Sequence, residues 1–316
     1  IRRQRQMCIR DSFQKIPSPG APGDGFGRAL AASGDRLLVG ALPAAYFYEY
    51  DAAKALWELV DDHTSTTASN FGNAVAMDGD YAVVGASNYD FSGAETGAAY
   101  VFTWNGSKWV ADGFLRPLDL GAGYEFGHSV SIAGTTIAAS ASRFLLGAPP
   151  GTGGAGKGYI YDRIGGVWQL QAELQALDDA VAGEFGWSLD LQSNAAIVTD
   201  NYYEGPALNS GRAYVFMPTG ASWLRVHVLE ASDAALNDGF GSWSALSDNV
   251  ALVGAWPEDD PGEASGAAYV FELNLETATL PGLSGAGALL GASALLFLGL
   301  GASLLRTGTP RRRRSS

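Results

Sequence analysis

The sequence predicts an all-β fold built from repeated four-stranded units. Glycine is frequent, with 42 among 316 residues, and the dipeptide Phe-Gly recurs five times. A turn pair and an aromatic strand follow each Phe-Gly at nearly fixed offsets. Glycine at about twice its usual share indicates many tight turns, and therefore many short strands. Fixed offsets with variable loops between them are typical of a repeated structural unit.

Each unit predicts four strands. The first follows Phe-Gly, the second precedes a Gly-Ala pair, the third contains a tyrosine and the fourth contains a tryptophan. Phe-Gly begins at Phe26, Phe71, Phe126, Phe185 and Phe240. Eight residues after each Phe stands a pair typical of a hairpin turn: Gly34-Asp35, Gly79-Asp80, Gly134-Thr135, Ser193-Asn194 and Asp248-Asn249. The aromatic strands contain Tyr46, Tyr100, Tyr159, Tyr214 and Tyr269, and the tryptophan strands contain Trp57, Trp109, Trp168 and Trp223.

These units are expected to form a β-propeller. A lone four-stranded sheet exposes two apolar faces, and packing such sheets face to face around an axis covers both. Five copies favour five blades, and a larger ring stays open if further units precede the first. The fifth copy ends at Leu273 without a tryptophan strand. Residues 13–16 stand before the first Phe-Gly, where other copies have that strand, so we expect them to complete the fifth blade.

The Phe-Gly and Gly-Ala pattern of residues 13–273 resembles the FG-GAP repeat of integrin α-subunit head propellers and their bacterial surface relatives. The resemblance rests on five Phe-Gly copies, on Gly-Ala at positions 40, 85 and 254, and on the recurrent tyrosine strands. It implies an exported, cell-surface propeller that serves adhesion or ligand recognition. A two-residue turn replaces the calcium loop of integrin-type repeats, so the calcium sites of that family do not carry over.

The two ends of the chain differ from the repeated body. Residues 1–12 contain four arginines and the only cysteine, Cys8, and they look like translated sequencing-adapter sequence. At the other end, residues 274–282 are a predicted linker and residues 283–305 a predicted transmembrane helix, long enough for a hydrocarbon core. Residues 306–316 form a basic tail whose arginines predict a cytoplasmic C-terminus. This layout resembles bacterial C-terminal sorting signals, in which the tail is either retained or cleaved.

Acidic residues recur in the loops before Phe-Gly. Carboxylates and backbone carbonyls are the ligands that calcium prefers, so six of these acids are candidate metal ligands for a possible calcium ion: Asp119, Glu125, Asp178, Glu184, Asp233 and Asp238. The alternative is that these side chains make turns and keep the rim of the propeller solvated. The residue after Phe-Gly varies among the copies and is interpreted as surface or ring-specific packing.

The sequence therefore predicts an exported, membrane-anchored binding or adhesion module whose ligand is an extracellular protein or glycan. The net charge of −13 disfavours nucleic acid as a partner. Two alternatives remain: an extracellular carbohydrate-active or other hydrolytic enzyme on a propeller scaffold, and a purely structural envelope protein. We expect no enzyme, because the acids repeat from unit to unit and do not form one unique pair.

Overall fold

The computed structural model describes residues 14–65, 68–89, 96–120, 123–142, 156–176, 183–205, 207, 209–220, 222–256 and 266–275. Within these ranges every regular element is a β-strand, and the strands form five antiparallel sheets. Four sheets have four strands, the fifth has three, and each sheet is a simple meander. This confirms the all-β prediction and is consistent with a β-propeller.

The sheets follow one another along the chain. Sheet 1 contains β1 (Ala29–Ser33), β2 (Arg36–Gly40), β3 (Ala44–Asp51) and β4 (Leu56–Thr64). Sheet 2 contains β5 (Ala68–Asp78), β6 (Tyr81–Tyr89), β7 (Ala98–Trp104) and β8 (Trp109–Leu115). Sheet 3 contains β9 (Phe126–Ala133), β10 (Thr136–Ala141), β11 (Lys157–Ile164) and β12 (Val167–Leu174). Sheet 4 contains β13 (Leu189–Gln192), β14 (Ala195–Asp200), β15 (Arg212–Thr219) and β16 (Ser222–Leu229), and sheet 5 contains β17 (Phe240–Ser247), β18 (Val250–Ala255) and β19 (Ala267–Glu272).

The predicted turn pairs connect the first two strands of every sheet. The flanking residues pair across each turn, as Ser33 does with Arg36 and Ser247 with Val250. Two-residue connections of this kind suit Gly, Asn and Asp, because the turn needs positive φ angles. The five hairpins predicted from the sequence are therefore all present.

The phenylalanine of each Phe-Gly packs edge-on against the tyrosine strand of its own sheet. The Phe–Tyr ring centroids are 5.2–5.6 Å apart in all five sheets, in the pairs Phe26–Tyr46, Phe71–Tyr100, Phe126–Tyr159, Phe185–Tyr214 and Phe240–Tyr269. Edge-to-face rings of this spacing gain about 0.5–1.5 kcal/mol beyond the area they bury. The recurrence of Phe and Tyr thus records one packing contact that is repeated in each sheet.

The hydrophobic core lies between successive sheets. One cluster joins Leu38 and Phe47 of sheet 1 to Phe71 and Val84 of sheet 2. Equivalent clusters join sheet 2 to sheet 3, sheet 3 to sheet 4 and sheet 4 to sheet 5. Each inner sheet therefore buries both faces, as the propeller prediction requires.

The N-terminal segment lies against sheet 1. The Gln14 side-chain amide donates to the carbonyl of Trp57 at 3.0 Å and accepts from its N–H at 2.7 Å. Ile16 packs on the sheet 1 face that contains Tyr46 and Tyr48. The expectation that residues 13–16 add a fourth strand to sheet 5 is wrong for the described residues 14–16, because sheet 5 has three strands among the described residues and none of residues 14–16 pairs with β19.

Several predicted segments lie outside the described residues. They are residues 1–12, most of the linker at 274–282, the predicted membrane helix at 283–305 and the basic tail at 306–316. Among the residues that the structure does describe, none belongs to a helix long and apolar enough to cross a membrane.

Candidate functional site

The residues directly after the five Phe-Gly pairs surround one cavity of about 370 Å³. They differ in every copy, although they occupy the same position in the repeat: Arg28, Asn73, His128, Trp187 and Ser242. Ser129, Ser188 and Trp243, each one residue further on, complete the lining. The repeated scaffold therefore brings five unlike side chains, one from each unit, to a common site.

A backbone turn fixes the position of these side chains. In four of the copies the N–H of the lining residue donates to the carbonyl of the residue before Phe, at 2.9–3.1 Å: Arg28 to Gly25, His128 to Glu125, Trp187 to Glu184 and Ser242 to Gly239. This turn, closed by a hydrogen bond between residues three apart, directs the Phe side chain into the core between sheets. The side chain two residues later lies at the cavity.

His128 and its neighbours connect three sheets beside the cavity. The imidazole Nδ1 lies 3.1 Å from the Trp187 carbonyl, and the two rings are in contact at 5.0 Å. Asn73 donates from its side-chain amide to the His128 carbonyl at 3.1 Å. Burial lowers the pKa of His128, and the nearby Arg28 lowers it further, so its imidazole is neutral at pH 7.

The lining has the chemistry of a polar binding site. Arg28 is exposed and supplies a guanidinium, Ser129 and Ser188 supply hydroxyl groups, and Trp187 and Trp243 supply aromatic faces. The eight lining residues include no Asp or Glu. In a chain of net charge −13, this cavity is therefore locally neutral to positive, which suits a ligand with an anionic or strongly polar group.

Two of the candidate calcium ligands are bonded to tyrosines. Asp119 accepts from Tyr159 at 3.3 Å and is paired with Lys157, and Asp233 accepts from Tyr269 at 2.8 Å. Burial opposes the ionisation of Asp119, but the hydrogen bond from Lys157 holds its pKa below the usual value. Acids seven residues before Phe thus tie a loop to the tyrosine strand.

Acids closer to Phe-Gly stabilise the turn that precedes it. Asp238 is buried and accepts from the N–H of Ala235. Glu125 has a left-handed backbone with φ of 51°, and its carbonyl accepts from His128 at 3.1 Å. The contact of the Asp238 carboxylate is what the turn-forming alternative predicts for an acidic side chain, whereas the Glu125 bond is a main-chain contact.

Glu184 has a different environment from the other candidates. It is buried, and its Oε2 atom has no hydrogen-bond partner among the described residues. Its backbone N–H donates to the Asp200 carboxylate at 2.8 Å. Burial, together with the charges of Asp200 and Glu125, raises the pKa of Glu184 to about 8, so the group is mostly protonated at pH 7.

The six candidate ligands recur from unit to unit, in the loops before Phe126, Phe185 and Phe240. Asp178 lies outside the described residues, and the other five belong to three loops: Asp119 and Glu125 lie between β8 and β9, Glu184 between β12 and β13, and Asp233 and Asp238 between β16 and β17. Over the described ranges, no group of three or more His, Cys, Asp or Glu side chains is placed to hold a metal ion. At Asp119, Asp233 and Asp238 the recurrent acids accept hydrogen bonds within the protein.

From the sequence, the cavity residues were interpreted as packing residues. The signal was present, because the position after Phe-Gly varies while its neighbours repeat. In a repeat protein, variable residues at one fixed position are expected to be those exposed to a ligand. What the sequence lacked was the direction of these side chains, which depends on the turn before Phe.

Five consecutive antiparallel sheets around a common cavity are consistent with the class of propeller-like repeat proteins. Three segments of the chain match the model of the FG-GAP repeat family, at residues 64–102, 168–216 and 223–271. The last two begin at a tryptophan of one sheet and end in the tyrosine strand of the next, so each spans a junction between sheets. A search of curated proteins finds no match.

Proposed function

We propose that this protein is an exported, cell-surface recognition module that binds a glycan with an anionic group at the cavity between the five sheets. The observation that carries the proposal is the set of five unlike residues at one repeated position, all lining one cavity. FG-GAP repeats are common in extracellular binding and adhesion propellers, which supports the same assignment.

The side chains of the cavity match the parts of an acidic sugar. A guanidinium such as that of Arg28 binds a carboxylate through two parallel hydrogen bonds. The indole face of Trp187 carries negative quadrupole charge, which attracts the C–H groups on the face of a sugar ring. Serine hydroxyls donate to and accept from sugar hydroxyls. The cavity holds a terminal sugar and leaves the rest of the glycan in solvent.

The test is binding of the full chain, in detergent, to a panel of neutral and acidic glycans, followed by titration of the best ligand. We expect Arg28→Ala and Trp187→Ala each to weaken binding at least 10-fold. Lys108→Ala is the matched control, since Lys108 is exposed in the turn between β7 and β8, and it should stay within 2-fold. Equal effects at all three positions, or turnover of the glycan, would contradict the proposal.

We further propose that residues 283–305 anchor the module in a membrane. The support is the absence of charged residues from 277 to 305, followed by Arg306 and Arg311–Arg314. Full-length protein expressed in bacteria should remain in the membrane fraction after alkaline carbonate washing. A variant truncated after residue 275 should be released. Recovery of the full-length chain in the wash would contradict the anchor.

A further inference from the structure

The hydrogen bond between His128 and Trp187 fixes which imidazole nitrogen of His128 carries the proton. The Nδ1 atom lies 3.1 Å from the Trp187 backbone carbonyl, and a carbonyl oxygen only accepts hydrogen bonds. Nδ1 is therefore the donor. Because burial and the charge of Arg28 lower the pKa of His128, the imidazole is neutral at pH 7, and its second nitrogen, Nε2, is an acceptor.

Neighbouring units hold the imidazole in this orientation. The Trp187 indole packs against it, with ring centroids 5.0 Å apart. Asn73 of sheet 2 donates its side-chain amide to the His128 carbonyl at 3.1 Å, and the amide oxygen of Asn73 accepts from the Ser87 N–H at 3.3 Å. Because these contacts fix both the ring and its backbone, Nε2 has a set position before a ligand arrives, which lowers the entropic cost of binding.

Other polar side chains of the cavity are bonded within the protein. Asn73 uses both ends of its side-chain amide in the two bonds to His128 and Ser87. The hydroxyl groups of three lining serines have partners at 2.8–3.1 Å: Ser129 bonds to the Leu189 N–H, Ser188 to the Ser244 N–H and Ser242 to the Gly239 carbonyl. A ligand therefore shares these groups with the protein.

The Nε2 atom of His128 differs from these groups. It has no hydrogen-bond partner among the described residues, yet it is not enclosed by them, so it opens into the cavity that His128 lines. Three other lining side chains, those of Arg28, Trp187 and Trp243, carry only donors. Among the described lining residues, Nε2 is thus the one side-chain acceptor atom without a protein partner.

The lining therefore sets two requirements for a ligand. The Arg28 guanidinium needs an anionic group, which a sugar carboxylate provides. Nε2 needs a donor, which a sugar hydroxyl provides. Since the charge of Arg28 reaches His128, the carboxylate and the hydroxyl should be neighbours on the sugar. A second anionic group at the hydroxyl position would face the lone pair of Nε2 with no proton between them, and it would lose the hydrogen bonds that it makes to water.

A terminal uronic acid has this arrangement of groups. The ring carbon that bears its carboxylate is next to a carbon that bears a hydroxyl, and this vicinal hydroxyl is unsubstituted when the sugar ends the chain. We propose that Nε2 of His128 accepts a hydrogen bond from the vicinal hydroxyl while Arg28 binds the carboxylate, so that the ligand is a glycan that ends in a uronic acid. This inference rests on the proposed function, because it takes the cavity to be the glycan site.

The first test needs no ligand. Nitrogen NMR of the full chain in detergent, with an isotope label in the histidines, reports which imidazole nitrogen carries a proton. His63 is the internal reference, because its Nε2 atom faces the Trp109 carbonyl at 3.1 Å and must be protonated. We expect His128 to be protonated at Nδ1 instead, and His128→Phe identifies its signals by their loss. A proton on Nε2 of His128 at pH 7 would overturn the proposal.

The second test is titration of methyl glucuronide and its deoxy analogues into the full chain in detergent. Loss of the vicinal hydroxyl should weaken binding about 5–10-fold. His128→Phe retains an aromatic ring beside Trp187 but has no acceptor, so it should weaken binding of methyl glucuronide by about the same factor and binding of the vicinal deoxy analogue no further. His63→Phe is the matched control, because His63 also packs against an aromatic ring and lies outside the cavity lining, and it should change binding less than about 2-fold.

The outcomes separate this inference from the proposed function. If no acidic glycan binds, both fail. If acidic glycans bind but methyl glucuronide does not, only the inference is overturned. The same holds if His128→Phe leaves binding unchanged, or if it weakens methyl glucuronide and every deoxy analogue equally, since the histidine would then only support the cavity. A sulphate ester in place of the vicinal hydroxyl should weaken binding at least 10-fold, and tighter binding of that ester would also overturn the inference.

Discussion

Two glycines of sheet 2 allow the Phe-Gly motif to be tested against an internal standard. Gly72 follows Phe71 with φ of 92°, and Gly79 lies in the hairpin turn with φ of 55°. A side chain at either position is strained by the backbone, at about 1–2 kcal/mol. The two glycines differ in their surroundings. A Cβ at Gly79 would meet nothing within 4 Å, whereas a Cβ at Gly72 would overlap the carbonyl oxygens of Ala41 and Ala44 in sheet 1.

The overlap at Gly72 sets the size of the expected difference. Forcing a methyl group into a packed contact costs about 1–3 kcal/mol. The Ala41 N–H donates to the Ala44 carbonyl at 2.8 Å, and disturbing that bond adds about 1 kcal/mol. Gly72→Ala is therefore expected to lower the free energy of unfolding by about 3–6 kcal/mol, and Gly79→Ala by about 1–2 kcal/mol. For a domain of this size, each kcal/mol lowers Tm by roughly 2–4 °C.

The assay is thermal unfolding followed by circular dichroism, on both variants at the same protein concentration. We expect Gly72→Ala to melt at least about 4 °C below Gly79→Ala. The hairpin variant is the control for the backbone strain that both share. Equal losses would show that the glycine of Phe-Gly is needed only for its backbone angles, and that the close approach of sheets 1 and 2 does not constrain it.

Three further outcomes are expected. The folded-state pKa of Glu184 is raised to about 8, so the folded chain retains a proton that the unfolded chain loses near pH 4–5. The free energy of unfolding should therefore fall as pH rises from about 5 to 9. Glu184→Gln should flatten this part of the Tm–pH curve, and an unchanged curve would contradict the assignment. Removing calcium with a chelator should change Tm by no more than about 1 °C, because Asp119, Asp233 and Asp238 already have protein partners. A fall in Tm of several degrees that added calcium reverses would favour the calcium hypothesis, since a ligand bound to the folded state stabilises it. Because burial lowers the pKa of His128, the affinity for a glycan measured by titration should be nearly constant from pH 7 to 8, and a loss over that interval would show that a protonated imidazole takes part.

Much of the fold follows from local sequence signals. Gly34-Asp35 and its four equivalents predict hairpins because their backbone angles favour glycine, asparagine and aspartate, and all five turns lie where expected. The phenylalanine and tyrosine positions are equally regular, since the same Phe–Tyr ring contact is present once in each of the five sheets. The placement of residues 14–16 was not predictable in this way. It depends on contacts with strands far along the chain, such as the bond between Gln14 and Trp57.

The candidate site was less accessible from the sequence. Recurrent acids suggested calcium, but the recurrence at Asp119 and Asp233 reflects hydrogen bonds to the tyrosine strands. The sequence pattern includes Glu184 among these acids, although its position beside Asp200 depends on the C-terminal end of β14, which lies further along the chain. The sequence shows only that a carboxylate is present. Its neighbours in the fold decide whether it bonds a strand, forms a turn or is buried and protonated.

The sequence by itself determined the repeat, the number of described units and the positions of their turns, because these depend on neighbours close along the chain. The tertiary structure alone decided that Arg28, Asn73, His128, Trp187 and Ser242 converge on one cavity. It also decided that Val270 and Leu30 remain exposed, whereas their equivalents are buried. The physical reason is that burial and convergence are properties of contacts between sheets. Residues 45 to 59 positions apart make these contacts, and no local pattern specifies them.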